Sequence, residues 1–435
     1  MVTNNQTHLT QATTTSSQDA LALALHKVNS VDVPQGNTIA LAFSGGLDST
    51  LCVKLAETKY HASKLYAISV DVGQGEEELN MSIQRAEMLG ITPIVLDARE
   101  EFTTQWLTKA IQANSDYNGY PISTSMTRQL IAKKVAQKAL ELGCDALMEG
   151  SSGKGNDQYR MHNVFSLFAP GLPTFVPVRD FDLTRGEEQL LMENFGIPVE
   201  ELIAGGDDKT MWCRSIASGG IGLDTELPDS IWMWLKPPHT AANQPSTFKI
   251  TWEHGLPVAL DGEALPLDEI IQKLNVLGGE NGIGKIDMFE DGIMGLKSRE
   301  IYEAPGAQIL LKLHRDLELY CLTKEEIPLK RQLDAQWSSM VYHGEWFHPL
   351  KNAIDAFIST TQQAVSGEYV VSLYKGNIDI VSRSSHSGLF FPDVRSINSA
   401  SFNQKECAPA AHLRGLPYEL IARRNKLAGI TQEGL

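Results

Sequence analysis

Two short stretches of this chain hold the groups that can do chemistry. The first is Ser44-Gly45-Gly46-Leu47-Asp48-Ser49, directly after the apolar run Thr38-Ile39-Ala40-Leu41-Ala42-Phe43. A short β-branched and apolar run reads as a buried strand. The glycine pair permits a tight turn and close backbone approach to a ligand. From Asp48 onward apolar residues fall at helical spacing, with Ser and Asp at the capping positions. Strand, glycine turn and helix start together aim backbone N–H groups and a positive dipole end at an anion, and phosphate is the expected one. The stretch lacks the lysine followed by Ser or Thr that a kinase-type phosphate loop requires.

The second stretch is Glu149-Gly150-Ser151-Ser152-Gly153-Lys154-Gly155-Asn156-Asp157-Gln158-Tyr159-Arg160, which also follows a strand-like run. Such a loop can wrap an anion with backbone donors while Lys154 and Arg160 add charge-assisted bonds. No Cys or Ser sits in an identifiable triad setting. Gly279-Glu280-Asn281-Gly282-Ile283-Gly284-Lys285 spells GxxxxGK, but Ile286 follows in place of the hydroxyl that would meet magnesium. It reads as a structural turn.

The elements that must position these loops alternate. Strand-like runs lie at 39–43, 65–70, 93–96 and 146–148, with helical patterns at 50–59, 77–89, 100–113 and 126–142. Alternation of this kind predicts an α/β fold, a doubly wound parallel sheet with helices on both faces. Ligands then bind at the carboxyl ends of the strands. The glycine loop, Asp71-Val72-Gly73-Gln74 and the loop 149–157 each follow a strand, so all three should converge on one cleft. After about residue 190 the alternation weakens, and Pro228, Pro237, Pro238 and Pro245 mark an irregular segment. From 247 an α+β region is expected: strands 247–252 and 258–260, a helix at 267–277, and a hairpin of 369–374 with 378–382 around Lys375-Gly376-Asn377. A helix at 413–426 closes the chain. The expected division is a flexible extension (1–36) with a short helix at 20–27, a nucleotide-binding domain (37–190), an α+β domain (191–405) and a C-terminal helix with its tail (406–435).

A length of 435 residues suits two or more domains. The net charge of −16 argues against a nucleic-acid surface, which needs Lys and Arg to neutralise phosphates. The five cysteines are scattered without a CxxC pair, which argues against a metal site or disulfide framework and fits a reducing cytoplasm. No apolar run reaches membrane-spanning length. The Thr/Gln/Ser/Asn-rich start, with no cationic or apolar segment, is not a signal peptide.

The first loop resembles the SGGxDS signature of the ATP pyrophosphatase (PP-loop) group. The whole chain from about 37 to the last helix resembles the argininosuccinate synthases. That resemblance rests also on Val72-Gly73-Gln74, Asp97-Ala98-Arg99-Glu100-Glu101-Phe102, Tyr120 with Thr124-Ser125-Met126-Thr127-Arg128, and Gly153-Lys154-Gly155-Asn156-Asp157-Gln158. Gly284-Lys285-Ile286-Asp287, the run from Gly295 to Gly306, and Leu373-Tyr374-Lys375-Gly376-Asn377 extend it through the second half.

The resemblance implies an ATP-dependent C–N ligase of arginine biosynthesis. Citrulline's ureido oxygen attacks the α-phosphorus of ATP, carried with Mg2+, and aspartate's amine then displaces AMP. It implies ATP binding by Ala42, Phe43, Ser44, Gly45, Gly46, Leu47, Asp48, Ser49, Thr50, Val70 and Gly150. It implies aspartate binding by Ser152, Asn156 and Asp157, and citrulline binding by Tyr120, Ser125, Asn156, Arg160, Ser215, Glu290 and Tyr302. Asp48, Lys154 and Arg128 are the implied catalytic groups; no metal site on the protein, no nucleic-acid partner and no membrane are expected. A cytoplasmic homotetramer is implied, with C-terminal helices reaching across subunits and Tyr418, Leu420 and Ile421 on an apolar stripe. From local sequence alone a core position is the lesser alternative for Tyr302, while Glu290 reads about equally as an exposed turn residue.

One departure stands out. The family carries a second citrulline-binding serine a few residues before Ser215, and here Gly205-Gly206 falls near that place. The lost hydrogen bond is worth about 0.5–1.5 kcal/mol, and the contact could be rearranged around Asp207, Asp208 or Thr210. Two alternatives therefore stay open at this level: an adenylating ligase with another ureido or guanidino acceptor, and a non-catalytic sensor of ATP or amino acids.

Overall fold

The computed structural model describes residues 17–198, 208–216, 222–224 and 226–430. Its first sheet contains β1 (Thr38–Ala42), β2 (Lys64–Asp71), β3 (Ile94–Asp97), β4 (Ala146–Met148) and β5 (Thr174–Phe175), in the order β3-β2-β1-β4-β5. All neighbours run parallel, with Ile39 opposite Ala146 and Leu41 opposite both Ala67 and Met148. Ile39, Ala40 and Leu41 are all buried, as a strand covered on both faces requires. Ala40 joins a core with Ile68, Trp106 and Leu130, while Ile39 and Leu41 join another with Leu51, Met148 and Phe175. The α/β expectation holds. Strand order reverses between β1 and β4, and that switch point opens a crevice at the carboxyl ends of both strands.

The helix after β1 spans Leu47–Thr58, a turn earlier than its periodicity suggested. Gly46 is its N-cap, in extended conformation, and no side chain caps it. The expected Ser/Asp cap is thus corrected: Ser44 stays in the loop, where its Oγ accepts from the Gly46 N–H at 3.2 Å. A helix start with no side-chain cap keeps its first N–H groups for an external acceptor. Gly45 has φ 76°, and a Cβ there would stand 2.8 Å from the Ser82 Cα, so both conformation and space demand glycine.

The other helices of this half lie close to expectation, at Glu76–Met88, Arg99–Gln112 (with a π-helical stretch at Phe102–Leu107) and Thr124–Glu141. The end of the second loop and the residues after it, to which no element was assigned, form a helix at Asp157–Phe168. The first described helix, Ser17–Ser30, is longer than the predicted 20–27. It packs through Ala24 and Val28, and its Lys27 Nζ bonds Glu187 Oε2 at 2.9 Å and the Asp182 carbonyl at 2.7 Å. The rest of the expected N-terminal tail, residues 1–16, lies outside the described residues.

The second half holds two antiparallel sheets. One, ordered β10-β9-β8-β13-β14, is built from β8 (Ser246–Glu253), β9 (Leu256–Leu260), β10 (Glu263–Ala264), β13 (Gly367–Tyr374) and β14 (Asn377–Ser384). Tyr369, Val371 and Leu373 alternate into the core, and Lys375 and Gly376 form the hairpin turn with φ of 45° and 86°. The other sheet, ordered β11-β12-β7-β6, comprises β6 (Asp208–Lys209), β7 (Arg214–Ile216), β11 (Lys285–Asp291) and β12 (Lys297–Glu303). The turn reading of the GxxxxGK stretch holds: Gly282 and Gly284 have positive φ, and β11 begins at Lys285. The preceding helix, Leu267–Glu280, runs on through Gly278 and Gly279, and only glycine fits at 279 because a Cβ there would meet the Trp234 carbonyl. Three long helices, Pro305–Cys321, Glu326–Tyr342 and Pro349–Gln362, had no counterpart in the sequence reading.

Contacts divide the chain into Met1–Gly388 and Leu389–Leu435. The second unit carries a helix at Cys407–Leu427, starting before the predicted 413 and continuing through Pro417. Tyr418, Leu420 and Ile421 on it are exposed. Among the described residues no helix is long and apolar enough to cross a membrane.

Candidate active site

The crevice at the switch point is a cavity of about 250 Å³ whose walls include Ser44, Asp48, Ser49, Val72, Gln74, Glu149, Gly150, Ser151 and Asp157. All three loops expected to converge do so. Ala42, Phe43, Ile68 and Val70 give it an apolar end, and Arg128, Lys209 and Thr210 a polar one. The Ser44 and Ser49 hydroxyls lie 3.2 Å apart, and Ser49 Oγ and Thr50 Oγ1 donate to the Gly46 carbonyl at 3.1 and 2.7 Å. Leu47 differs from its neighbours: its side chain is part of the core. Asp48 is ion-paired with Arg185. A Cβ on Gly150 would stand 3.1 Å from the Ser49 nitrogen, so the second loop lies against the first at a glycine.

Glu149 is buried at the end of β4, where its Oε2 accepts the Ser151 N–H at 2.7 Å. Burial pushes this carboxyl up to about 7. Lys154 is exposed on the same loop and does not line the cavity. Ser152 accepts the Gly155 N–H through its carbonyl at 3.4 Å and is likewise outside the lining.

Arg128 clamps two carboxylates. Its Nε donates to Asp157 Oδ2 at 2.8 Å and its Nη2 to both Asp208 oxygens at 2.6 Å. Arg160 Nη1 holds the other Asp157 oxygen at 2.8 Å. Burial alone would raise the Asp157 carboxyl, but the two guanidiniums outweigh it and hold it below its ordinary value.

Beyond Arg160 lies a second cluster. Tyr120 and Tyr302 stack with ring centroids 4.2 Å apart, and the Tyr302 hydroxyl donates to Glu290 Oε2. Burial pushes both phenols well above their ordinary range. Glu290 is buried on β11 rather than exposed in a turn, and Tyr302 on β12 is part of the buried core while its hydroxyl reaches Glu290. Ser215 on β7 is the register partner of Tyr302. Ser125, in the first turn of the Thr124–Glu141 helix, is fully buried with no hydrogen-bond partner for its Oγ among the described residues. Asn156 bridges the two groups: its Oδ1 accepts the Ile293 N–H at 2.8 Å and its Nδ2 reaches the Tyr342 hydroxyl at 3.1 Å.

Sequence reading missed Tyr342, the last residue of Glu326–Tyr342, and Tyr117, whose ring stacks on it at 3.8 Å. Nothing in their local pattern marks them. Of the residues named for the missing serine, Gly205, Gly206 and Asp207 lie outside the described residues. Asp208 pairs with Arg128, and Thr210 Oγ1 lies 2.7 Å from Ser123 Oγ.

A parallel sheet of this order, with a glycine loop and an uncapped helix start at its switch point, defines a nucleotide-binding α/β protein of PP-loop architecture. Comparison with known families narrows this. Residues 38–198 match the model "Arginosuccinate synthase N-terminal HUP domain" and 207–421 match "Arginosuccinate synthase C-terminal domain". Proteins named argininosuccinate synthase are 40% identical over 89% of this chain and 99% of the relative in Methanopyrus kandleri, and 39% over 90% and 100% in Methanococcus maripaludis. The Methanosarcina acetivorans protein of that name is 41% identical over 87% and 96%. The chain belongs to the argininosuccinate synthase family and is an ATP-using C–N ligase.

Proposed function

We propose that this enzyme joins L-citrulline to L-aspartate, splitting ATP to AMP and pyrophosphate. The citrulline ureido oxygen bonds to the α-phosphorus, breaking the α–β bridge and releasing pyrophosphate. The aspartate amine then attacks the activated ureido carbon, loses a proton, and expels AMP. Mg2+ enters with ATP as its counter-ion.

In this reading Ser44, Gly45, Gly46, Asp48, Ser49 and Thr50 cradle the phosphates, the side chain of Leu47 anchors the loop, and Ala42, Phe43, Val70 and Gly150 bound the nucleoside. Ser152, Asn156 and Asp157 take aspartate, Asp157 meeting its ammonium. Tyr120, Ser125, Asn156, Arg160, Ser215, Glu290 and Tyr302 take citrulline, with the planar Arg160 fork on its α-carboxylate and Glu290 on its ammonium. Arg128, which lines the cavity, supplies positive charge towards the developing negative charge at phosphorus.

What supports the reading most is the continuous chain Arg128–Asp157–Arg160, which runs from the phosphate-loop cavity to the Glu290–Tyr302 cluster. An ATP site and an amino-acid site that share a wall are what a ligation without a protein nucleophile needs. The test is pyrophosphate release from ATP with citrulline and aspartate together and with each omitted. Release that requires citrulline is the expected result; release with another acceptor, or none under any pairing, overturns the proposal.

A further inference from the structure

Tyr342 touches three of the residues assigned above to the amino-acid substrates, yet neither the motifs nor the loop chemistry assigns it a role. Its hydroxyl donates to Glu290 Oε1, lies 2.9 Å from the Asp291 carbonyl and accepts from Asn156 Nδ2. Its backbone carbonyl accepts from Arg160 Nε at 2.9 Å, and its ring lies 4.9 Å from the same guanidinium. A phenol oxygen has one proton to give and lone pairs to receive. With the Asn156 amide donating to it, that proton is directed at the Glu290–Asp291 side.

The residue is itself held firmly. Tyr117 stacks on its ring at 3.8 Å with only 5° between the planes. Two residues on, Gly344 has φ 86°, and a Cβ there would stand 2.9 Å from the Arg160 Cα. The chain at Tyr342–Gly344 is therefore pressed against the Arg160 backbone as well as bonded to its side chain. Arg160 comes from the helix after the second loop and Glu290 from a strand of another sheet, 130 positions later in sequence. One cation and one anion on separate elements make a receptor for a zwitterion only if something fixes the gap between them.

We propose that Tyr342 is the positioning residue that sets the spacing of Arg160 and Glu290, and through it the selectivity for an acceptor bearing both an α-carboxylate and an α-ammonium. This rests on the citrulline reading of that site. The phenol ties the anion and the carbonyl ties the cation, so a single rigid residue carries both.

The test compares wild type with Tyr342→Phe, which keeps the ring stack and the backbone carbonyl but removes the hydroxyl. Citrulline and ATP affinities are measured by calorimetry, and steady-state KM for all three substrates alongside melting temperature. Loss of a hydrogen bond to a charged group predicts a citrulline Kd and KM raised about tenfold or more, with ATP constants unchanged and the melting temperature lowered only modestly by the buried bonds lost. Discrimination against decarboxylated citrulline should narrow by a similar factor. Tyr117→Leu, which removes the stack on the ring but keeps the backbone bridge of residue 117 to Tyr120, should shift the citrulline constants in the same direction by less. Unchanged citrulline constants, or citrulline and ATP constants rising together, overturn the proposal. Wild type that binds citrulline but releases no pyrophosphate refutes the reaction while the affinity comparison still decides Tyr342; wild type that binds no citrulline overturns both.

Discussion

Glu149 offers a sharp pH test of the nucleotide crevice. Its carboxyl follows strand β4, 4% exposed, with the Ser151 N–H donating to it and the phosphate-loop cavity beside it. Burial is the main cause that lifts it from 4.5 to about 7. A carboxyl raised in the folded state binds its proton more tightly there than in the unfolded chain. Its contribution to stability is therefore fully present below about pH 4.5 and is lost as pH rises through about 7. At 1.36 kcal/mol per pKa unit, the climb from 4.5 to about 7 is worth about 3 kcal/mol. Glu149→Gln keeps an oxygen for the Ser151 N–H and cannot ionise. Urea unfolding of both proteins should give similar stabilities at pH 5 and a variant more stable by about 2–3 kcal/mol at pH 8. The same ionisation sets a negative charge beside the nucleotide, so wild-type KM for ATP should rise above pH 7 while that of the variant stays flat. Parallel stability curves from pH 5 to pH 8 would refute the reasoning, because they would mean the carboxyl is solvated in the fold.

Two further substitutions probe the loop and the frame behind it. Gly45→Ala imposes a side chain at φ 76° and 2.8 Å from the Ser82 Cα, so the loop must move; calorimetry should show ATP binding weakened about tenfold with the unfolding free energy lowered by about 1–2 kcal/mol, and unaltered ATP affinity would sink the idea that this turn shapes the phosphate site. Arg214→Ala strands the fully buried Glu303, which otherwise pairs with Arg214 and accepts the N–H groups of Met233, Trp234 and Leu235; denaturation should register a loss of about 3–5 kcal/mol, and a loss below about 1 kcal/mol would show that the pair adds little.

The first sheet was legible because its signals are local. Buried runs such as Ile39-Ala40-Leu41 announce a strand covered on both faces, and the glycine pair after it announces the turn. The three long helices of the second half were there to be read: Pro305 and Pro349 sit at first helical positions, and Ile309, Leu310, Leu313 and Leu317 fall at helical spacing. The Asp157–Phe168 helix was harder, since its first turn is made of the polar residues that also make the site. The helix cap was misplaced for a similar reason: a serine or aspartate beside a glycine turn reads as a cap, but the Gly46 backbone occupies that position.

By itself the sequence determined the kind of chemistry. An anion loop on a strand end, a second polar loop on the same sheet edge and the Asn156-Asp157-Arg160 set are fixed by residue type and spacing, and periodicity alone brings the loops to one cleft. Which partners meet was decided only by the tertiary structure. Glu290 is buried on a strand rather than exposed in a turn because β11 pairs with β12, and the Tyr302 hydroxyl reaches its carboxylate from that second strand. Tyr342 joined Asn156, Arg160 and Glu290 because the end of a distant helix packs there. Local pattern tells which face of an element is apolar; it cannot tell which element that face will press against, and contacts between residues 50 to 190 positions apart are set by that choice.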